Sequence, residues 1–258
     1  MTVEARFRAA VISLIVPVVV LVLWWVLSAD STSAFYPPLQ TIWESFKDTW
    51  LFSHVGSDVV PSFIRFGLGY ALAVLLGVFF GVLFGRLRLL DMAFQPSVQF
   101  ARSIPATGLV PVSITLMGIG NAPKIWLIGF VCMFPILLNT IDGVTSIGAA
   151  RAQTAQVFRI PARDVLFHIV LPGASPKIFA GMRTSLSLSL ILMIISELQK
   201  SENGLGYLLV QSQRNFDYAS FWSVLVALVI LGVIFNLVFL FIERRVLAWH
   251  RGATAQHD

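Results

Sequence analysis

The chain has 258 residues, 57% of them hydrophobic and 12% charged, with a formal net charge of +5 and a mean hydropathy of +0.83. An ordinary soluble domain carries about 25% charged residues, so this composition excludes one and points to an all-α membrane protein with several spans. The basic balance does not imply a nucleic-acid partner, because Lys and Arg cluster in loops beside apolar runs, where they encode topology in a lipid bilayer.

About six transmembrane helices are predicted, at roughly 9–28, 64–86, 97–118, 122–140, 177–196 and 221–242. The first follows Arg6 and Arg8 like a secretory signal. Its length of about twenty residues exceeds the roughly 7–15 of a signal core, so residues 1–29 are read as a tail and a first span. Residues 30–63 form an extracytoplasmic segment. Tyr36-Pro37-Pro38 favours an extended entry. Ile42, Phe46 and Trp50 then share one face of an expected interfacial helix over Leu39–Phe52.

Residues 64–246 form the main transmembrane domain, and 247–258 a cytoplasmic tail. The second span carries Gly69, Ala73, Gly77, Gly81 and Gly85 at intervals of four. Such a groove of small residues lets another helix approach closely, either inside a translocation core or as generic helix packing. Pro105 and Pro111 interrupt the third span, a break tolerated where backbone is buried in protein or lines a cavity. Cys132, the single cysteine, lies in the fourth and excludes an internal disulfide or thiolate metal cluster.

In the fifth span Gly181, Ser185 and Ser189 repeat the spacing of four, with Ser187 on another face. These hydroxyls either bond back to the helix backbone or, together with Ser113 and Thr115, line a polar pathway. Glu197 closes the span. An acid near a membrane boundary is a functional candidate; a plain surface pair with Lys200 at i+3 in a wet interface is nearly as good a reading.

Orientation follows from the basic residues. Arg6, Arg8, Arg86, Arg88, Arg102, Arg151, Arg159, Arg163, Lys177, Arg183, Arg244, Arg245 and Arg251 fall on one side of the predicted spans. Lys47, Arg65, Lys124, Lys200 and Arg214 fall on the other. That bias places both termini and the 141–176 loop in the cytoplasm.

The loop segment Ser146–Pro176 is charged yet patterned. Arg151, Arg159, Arg163, Asp164, His168 and Lys177 require water, while Ala155, Phe158, Ala162, Val165 and Ile169 recur at helical spacing. Two short helices are expected, at about 147–159 and 161–168, with Pro161 in the first turn of the second. Leu171-Pro172 should end that helix, and Ser175-Pro176 lead back into the bilayer. Such a pair either fits a groove in a partner or lies on anionic headgroups.

Motifs for chemistry are missing. There is no G-x-x-x-x-G-K-[ST] and no H-E-x-x-H. His54, His168, His250 and His257 are scattered, so neither catalytic residues nor a metal site is expected. Intramembrane carboxylates, which proton-driven pumps use, are scarce.

The loop resembles the cytoplasmic signature of ABC-importer permeases, E-A-A-x3-G-x9-I-x-L-P. Ile169-Val170-Leu171-Pro172 matches its end, which sets Gln153, Thr154 and Ala155 over E-A-A and Arg159 over the glycine. A glycine turns freely where Arg159 does not, so Ile160-Pro161 is expected to carry the break instead.

Further stretches are similar to the nitrate/sulfonate/taurine-type branch of that family. They are Phe35-Tyr36-Pro37-Pro38, Ser62-Phe63-Ile64-Arg65, Arg102-Ser103-Ile104-Pro105, Met117-Gly118-Ile119-Gly120, Phe134-Pro135-Ile136-Leu137-Leu138-Asn139-Thr140, Ala180-Gly181-Met182-Arg183 and Asn203-Gly204-Leu205-Gly206. The resemblance implies a plasma-membrane permease core over 64–246. Its two short coupling helices in the 141–176 loop would carry Arg151, Gln153, Ala155, Phe158, Arg159, Pro161, Arg163, Val165, Ile169 and Pro172. It also implies ATPase subunits that bind ATP, a second permease copy, an extracytoplasmic solute-binding protein and no cofactor on this chain. A self-contained secondary transporter or channel is the alternative, and an integral-membrane enzyme a third reading.

Overall fold

A computed structural model of the protein describes residues 3–33, 35–50, 54–147 and 157–249, and the described chain is nearly all helical. The helices are α1 (Val3–Ser28), α2 (Leu39–Trp50), α3 (Val60–Arg86), α4 (Arg88–Ser103), α5 (Ala106–Met117), α6 (Ala122–Thr145), α7 (Leu171–Leu198), α8 (Leu205–Arg214) and α9 (Tyr218–Val246). Among the described residues four helical stretches are long and apolar enough to cross a membrane. The number is five if α4 and α5 together make one span.

The centre of the molecule is α6, held between α3 and α7. A Cβ on Gly69 would meet Ile128, one on Gly77 would meet Ile136, one on Gly81 Thr140 and one on Gly85 Val144. Partners advance together along both chains, so α3 and α6 run parallel. Each of these four glycines is a notch filled by a β-branched side chain of α6, whose stiff χ1 makes it a well-defined knob. Ala73, fully buried, fills the remaining position of the stripe. On the other side Gly143 faces Ala174, and Gly181 faces Pro135, Ile136 and Asn139, so α7 runs antiparallel to α6. Ser185 Oγ donates to the Cys132 carbonyl at 2.6 Å and ties the same pair at mid-length.

The third expected span is not one helix. α4 and α5 meet at 95°. Pro105, which has no N–H to donate and forces the preceding residue out of the helical region, sits at the corner, and Ile104 is extended. Pro96, Pro111, Pro135 and Pro176, by contrast, stay within helices.

α2 packs across the start of α9. Ile42 is buried, and Ser45 and Ser220 hydroxyls lie 3.2 Å apart. Trp24 of α1 and Trp222 of α9 clamp the connection between α1 and α2, with Trp222 Nε1 donating to the Phe35 carbonyl. The backbone of the first expected span is helical throughout as α1.

Candidate functional site

One end of the bundle is sealed by a buried polar knot. Arg65 of α3 and Glu197 of α7 are 3% and 1% exposed. Arg65 donates from Nη1 to Glu197 Oε1 at 2.7 Å and to the Asn203 carbonyl at 3.0 Å, and from Nε to Asn121 Oδ1 at 2.7 Å. Its Nη2 donates to Asn203 Oδ1. Glu197 further accepts from Ser62 Oγ and from the Gly206 amide. Burying two charges costs several kcal/mol each unless every lone pair and proton is matched, and here the matching comes from four separate segments.

The same knot fixes the loop between α7 and α8. The Gly204 amide donates to Asp58 Oδ1 at 2.9 Å and the Leu205 amide to Ser62 Oγ at 2.9 Å. Lys124 Nζ donates to Ser201 Oγ. Glu197 therefore does not pair with Lys200. α7 stops at Leu198 and Lys200 turns into the left-handed region with φ 47°, so the helical i+3 relation never forms. The partner of Glu197 lies 132 residues away in sequence, and no local spacing could have announced it.

The patterned segment lies at the opposite end. Arg151, Gln153 and Ala155 fall outside the described residues. From Val157 the chain turns at Arg159, whose φ of 49° is left-handed, and Pro161 then leads into a helical turn, Ala162–Asp164. Arg159 thus takes up the left-handed turn itself, and Ile160 and Pro161, both outside any helix, extend the break as expected. Nor does Leu171-Pro172 end the following helix. A π-helical turn, Val165–Val170, runs without a gap into α7, with Pro172 in its first turn, where no N–H is needed.

Val165 and Leu166 turn inward onto a small core of Val144, Val170, Ala174 and Ile178. Ile169 is half-buried, and Arg163 is exposed. The outward apolar surface is therefore Val157, Phe158, Ile160 and Phe167, with Val157 78% and Phe158 74% exposed. Helical spacing gave Phe158 but missed Val157, Ile160 and Phe167, because the turn at Arg159 and the π turn break the 3.6-residue phase.

The four hydroxyls considered as pathway groups are all engaged with backbone. Ser113 donates to the Val110 carbonyl, Thr115 to Pro111, Ser185 to Cys132 and Ser189 to Leu186. Ser113, Ser185 and Ser189 are buried, while Thr115 is exposed.

Residues 73–248 match the family described as "Binding-protein-dependent transport system inner membrane component". The chain is 26% identical over 238 residues to SsuC of Bacillus subtilis (strain 168), whose name refers to aliphatic sulfonates transport, covering 92% of this chain and 86% of that one. It is 28% identical over 246 residues to the taurine transport system permease protein TauC of Escherichia coli (strain K12), covering 90% and 87%. Among solved structures it resembles a chain of the inward-facing MetNI methionine ABC transporter, with a TM-score of 0.61 over 75% of this chain and 94% of that one. At 19% identity that likeness concerns the fold.

Proposed function

The chain belongs to the family of binding-protein-dependent transport system inner membrane components, and on that premise we propose that it is the translocating subunit of an ATP-driven importer for a small anion of the sulfonate or taurine type. It is a multi-pass permease of the cell membrane. ATP would be bound by separate ATPase subunits, solute would be delivered by an extracytoplasmic binding protein, and two permease copies would form the path.

The observation that carries this reading is the apolar ridge of Val157, Phe158, Ile160 and Phe167, exposed at the end of the bundle opposite the Arg65–Glu197 knot. An exposed cluster of large apolar side chains on a rigid support marks an interaction site. Val165, Leu166 and Val170 supply that support by packing into the body of the protein. A push on Phe167 would pass directly into α7, because the helical run from Ala162 continues into it without a gap, while Val157, Phe158 and Ile160 join that run through the turn at Arg159. The segment around Arg151, Gln153 and Ala155 would complete the docking element, with Arg159, Pro161 and Arg163 shaping its turn and Ile169 and Pro172 joining it to α7.

The test is co-purification with the cognate ATPase and ATP-driven uptake in proteoliposomes. Phe158→Asp and Val157→Asp should abolish both while leaving the permease folded. Retention of ATPase association and uptake in the double variant would overturn the docking role of this ridge.

A further inference from the structure

Two arginines counted with the cytoplasmic basic residues lie instead at half-height in the bundle. Gly181 packs on Pro135 and Ile136, and Ser185 bonds to Cys132, so Arg183 between them is level with the middle of α6 (Ala122–Thr145). Twelve residues of helix, about 18 Å of rise, separate it from the start of α7. Arg102 lines a pocket of about 430 Å³ at the α4–α5 corner together with Phe130, Val131, Phe134 and Pro135, which is the same level.

Both side chains are exposed, and neither forms an ion pair among the described residues. Arg102 donates through a long bond from Nη1 to Gln99 Oε1 at 3.4 Å. A guanidinium does not shed its proton. A charge at this depth must therefore face water or a counter-charge rather than hydrocarbon.

The exposed face of α7 shows which. Arg183, Thr184 and Ser187 lie along it at helical spacing, all exposed, whereas Ser185 and Ser189 turn into the core. Leu188, beside that face, lines the Arg102 pocket. The Arg102 pocket thus reaches α7 at Leu188, next to Ser187 and one turn beyond Thr184.

We propose that Arg102 and Arg183, with Thr184 and Ser187, form a mid-membrane binding site for an oxyanion such as a sulfonate, carboxylate or nitrate. This rests on reading the chain as a permease and adds where in the path the anion pauses. A guanidinium fork presents two parallel N–H donors to a planar or tetrahedral oxyanion. Exposure to the path keeps the attraction weak enough for release.

The test uses the full chain with its ATPase in proteoliposomes and needs no identified solute. Ser187→Cys is introduced as a reporter, the native Cys132 being fully buried. Its rates of modification by an anionic and a cationic methanethiosulfonate of similar size are compared, each normalised to a free thiol. The anionic reagent should be favoured by at least roughly tenfold, as charge focusing in a cleft provides. Arg102→Gln or Arg183→Gln should erase that preference, and Arg183→Lys should keep most of it.

An unreactive reporter, equal rates for both reagents, or a preference unchanged in the glutamine variants would each overturn the site. Should a glutamine variant fail to insert, the rate ratio in the otherwise unaltered chain and the lysine variant still decide. Failure of the unaltered chain to retain any ATPase sinks the importer reading. A chain that retains it but shows a charge-blind reporter sinks the anion site alone.

Discussion

The guanidinium of Arg65 reaches the carboxylate of Glu197 at 2.7 Å across the gap between α3 and α7, with both side chains almost wholly withdrawn from solvent. Removing one member strands a charge, so Arg65→Ala and Glu197→Ala should each lower unfolding free energy by about 3–5 kcal/mol. The double variant should lose far less than the sum, because the coupling is counted twice in the singles. Denaturant unfolding of the purified protein in detergent measures all three.

Gly204 sits against the same carboxylate. Its φ of 116° is one that side-chain-bearing residues rarely adopt, and a Cβ there would lie 2.5 Å from the Glu197 carboxyl carbon. Gly204→Ala should therefore be as damaging as loss of Glu197, lowering the melting temperature and opening the α7–α8 loop to protease. Ser62→Ala, which removes a donor to Glu197 and the acceptor of the Leu205 amide, should cost about 1–3 kcal/mol.

The α3–α6 contact separates glycines that matter from one that does not. A Cβ on Gly77 would lie 2.7 Å from Ile136 Cβ and 2.9 Å from the Met133 carbonyl, while one on Gly67 meets nothing within 4 Å. Gly77→Ala should cost about 1–3 kcal/mol through overpacking. Gly67→Ala should be neutral or slightly stabilising. Paired thermal melts distinguish them, and equal melting temperatures would refute the close approach.

Arg159 holds a left-handed conformation that costs an ordinary L-residue about 1–2 kcal/mol. Arg159→Gly should leave the turn intact or protect it better from protease. Arg159→Val, branched at Cβ, should increase cleavage around Val157–Pro161. Comparable digestion of both variants would show that the turn does not depend on this residue's φ.

Several of these features were legible in the sequence and others were not, for physical reasons. The spacing of four from Gly69 to Gly85 announced a close helix contact, but the partner needed Ile128, Ile136, Thr140 and Val144 to be seen in register with it. The charge rule separated the ends of most spans. It set Arg102 and Arg183 at a face because it assigns every basic residue to one, although both fall within the predicted spans 97–118 and 177–196. The helix pattern of the loop was visible, yet Arg159 and the π turn at Val165–Val170 rotate the outward face by an amount that a fixed 3.6-residue period does not contain. The Arg65–Glu197 pair was out of reach altogether, since two residues so far apart in sequence carry no spacing to read.

The meshing of α3 with α6 limits how the protein can move. Teeth on one helix occupy sockets on the other at Gly69, Gly77, Gly81 and Gly85, so the pair resembles a rack that cannot slip by a fraction of a tooth. With α7 bonded at mid-length through Ser185, the three helices form a slab that shifts as one body. Any alternation between open faces must then come from tilting the slab, or from hinging where it is not toothed, and the corner at Pro105 is such a place.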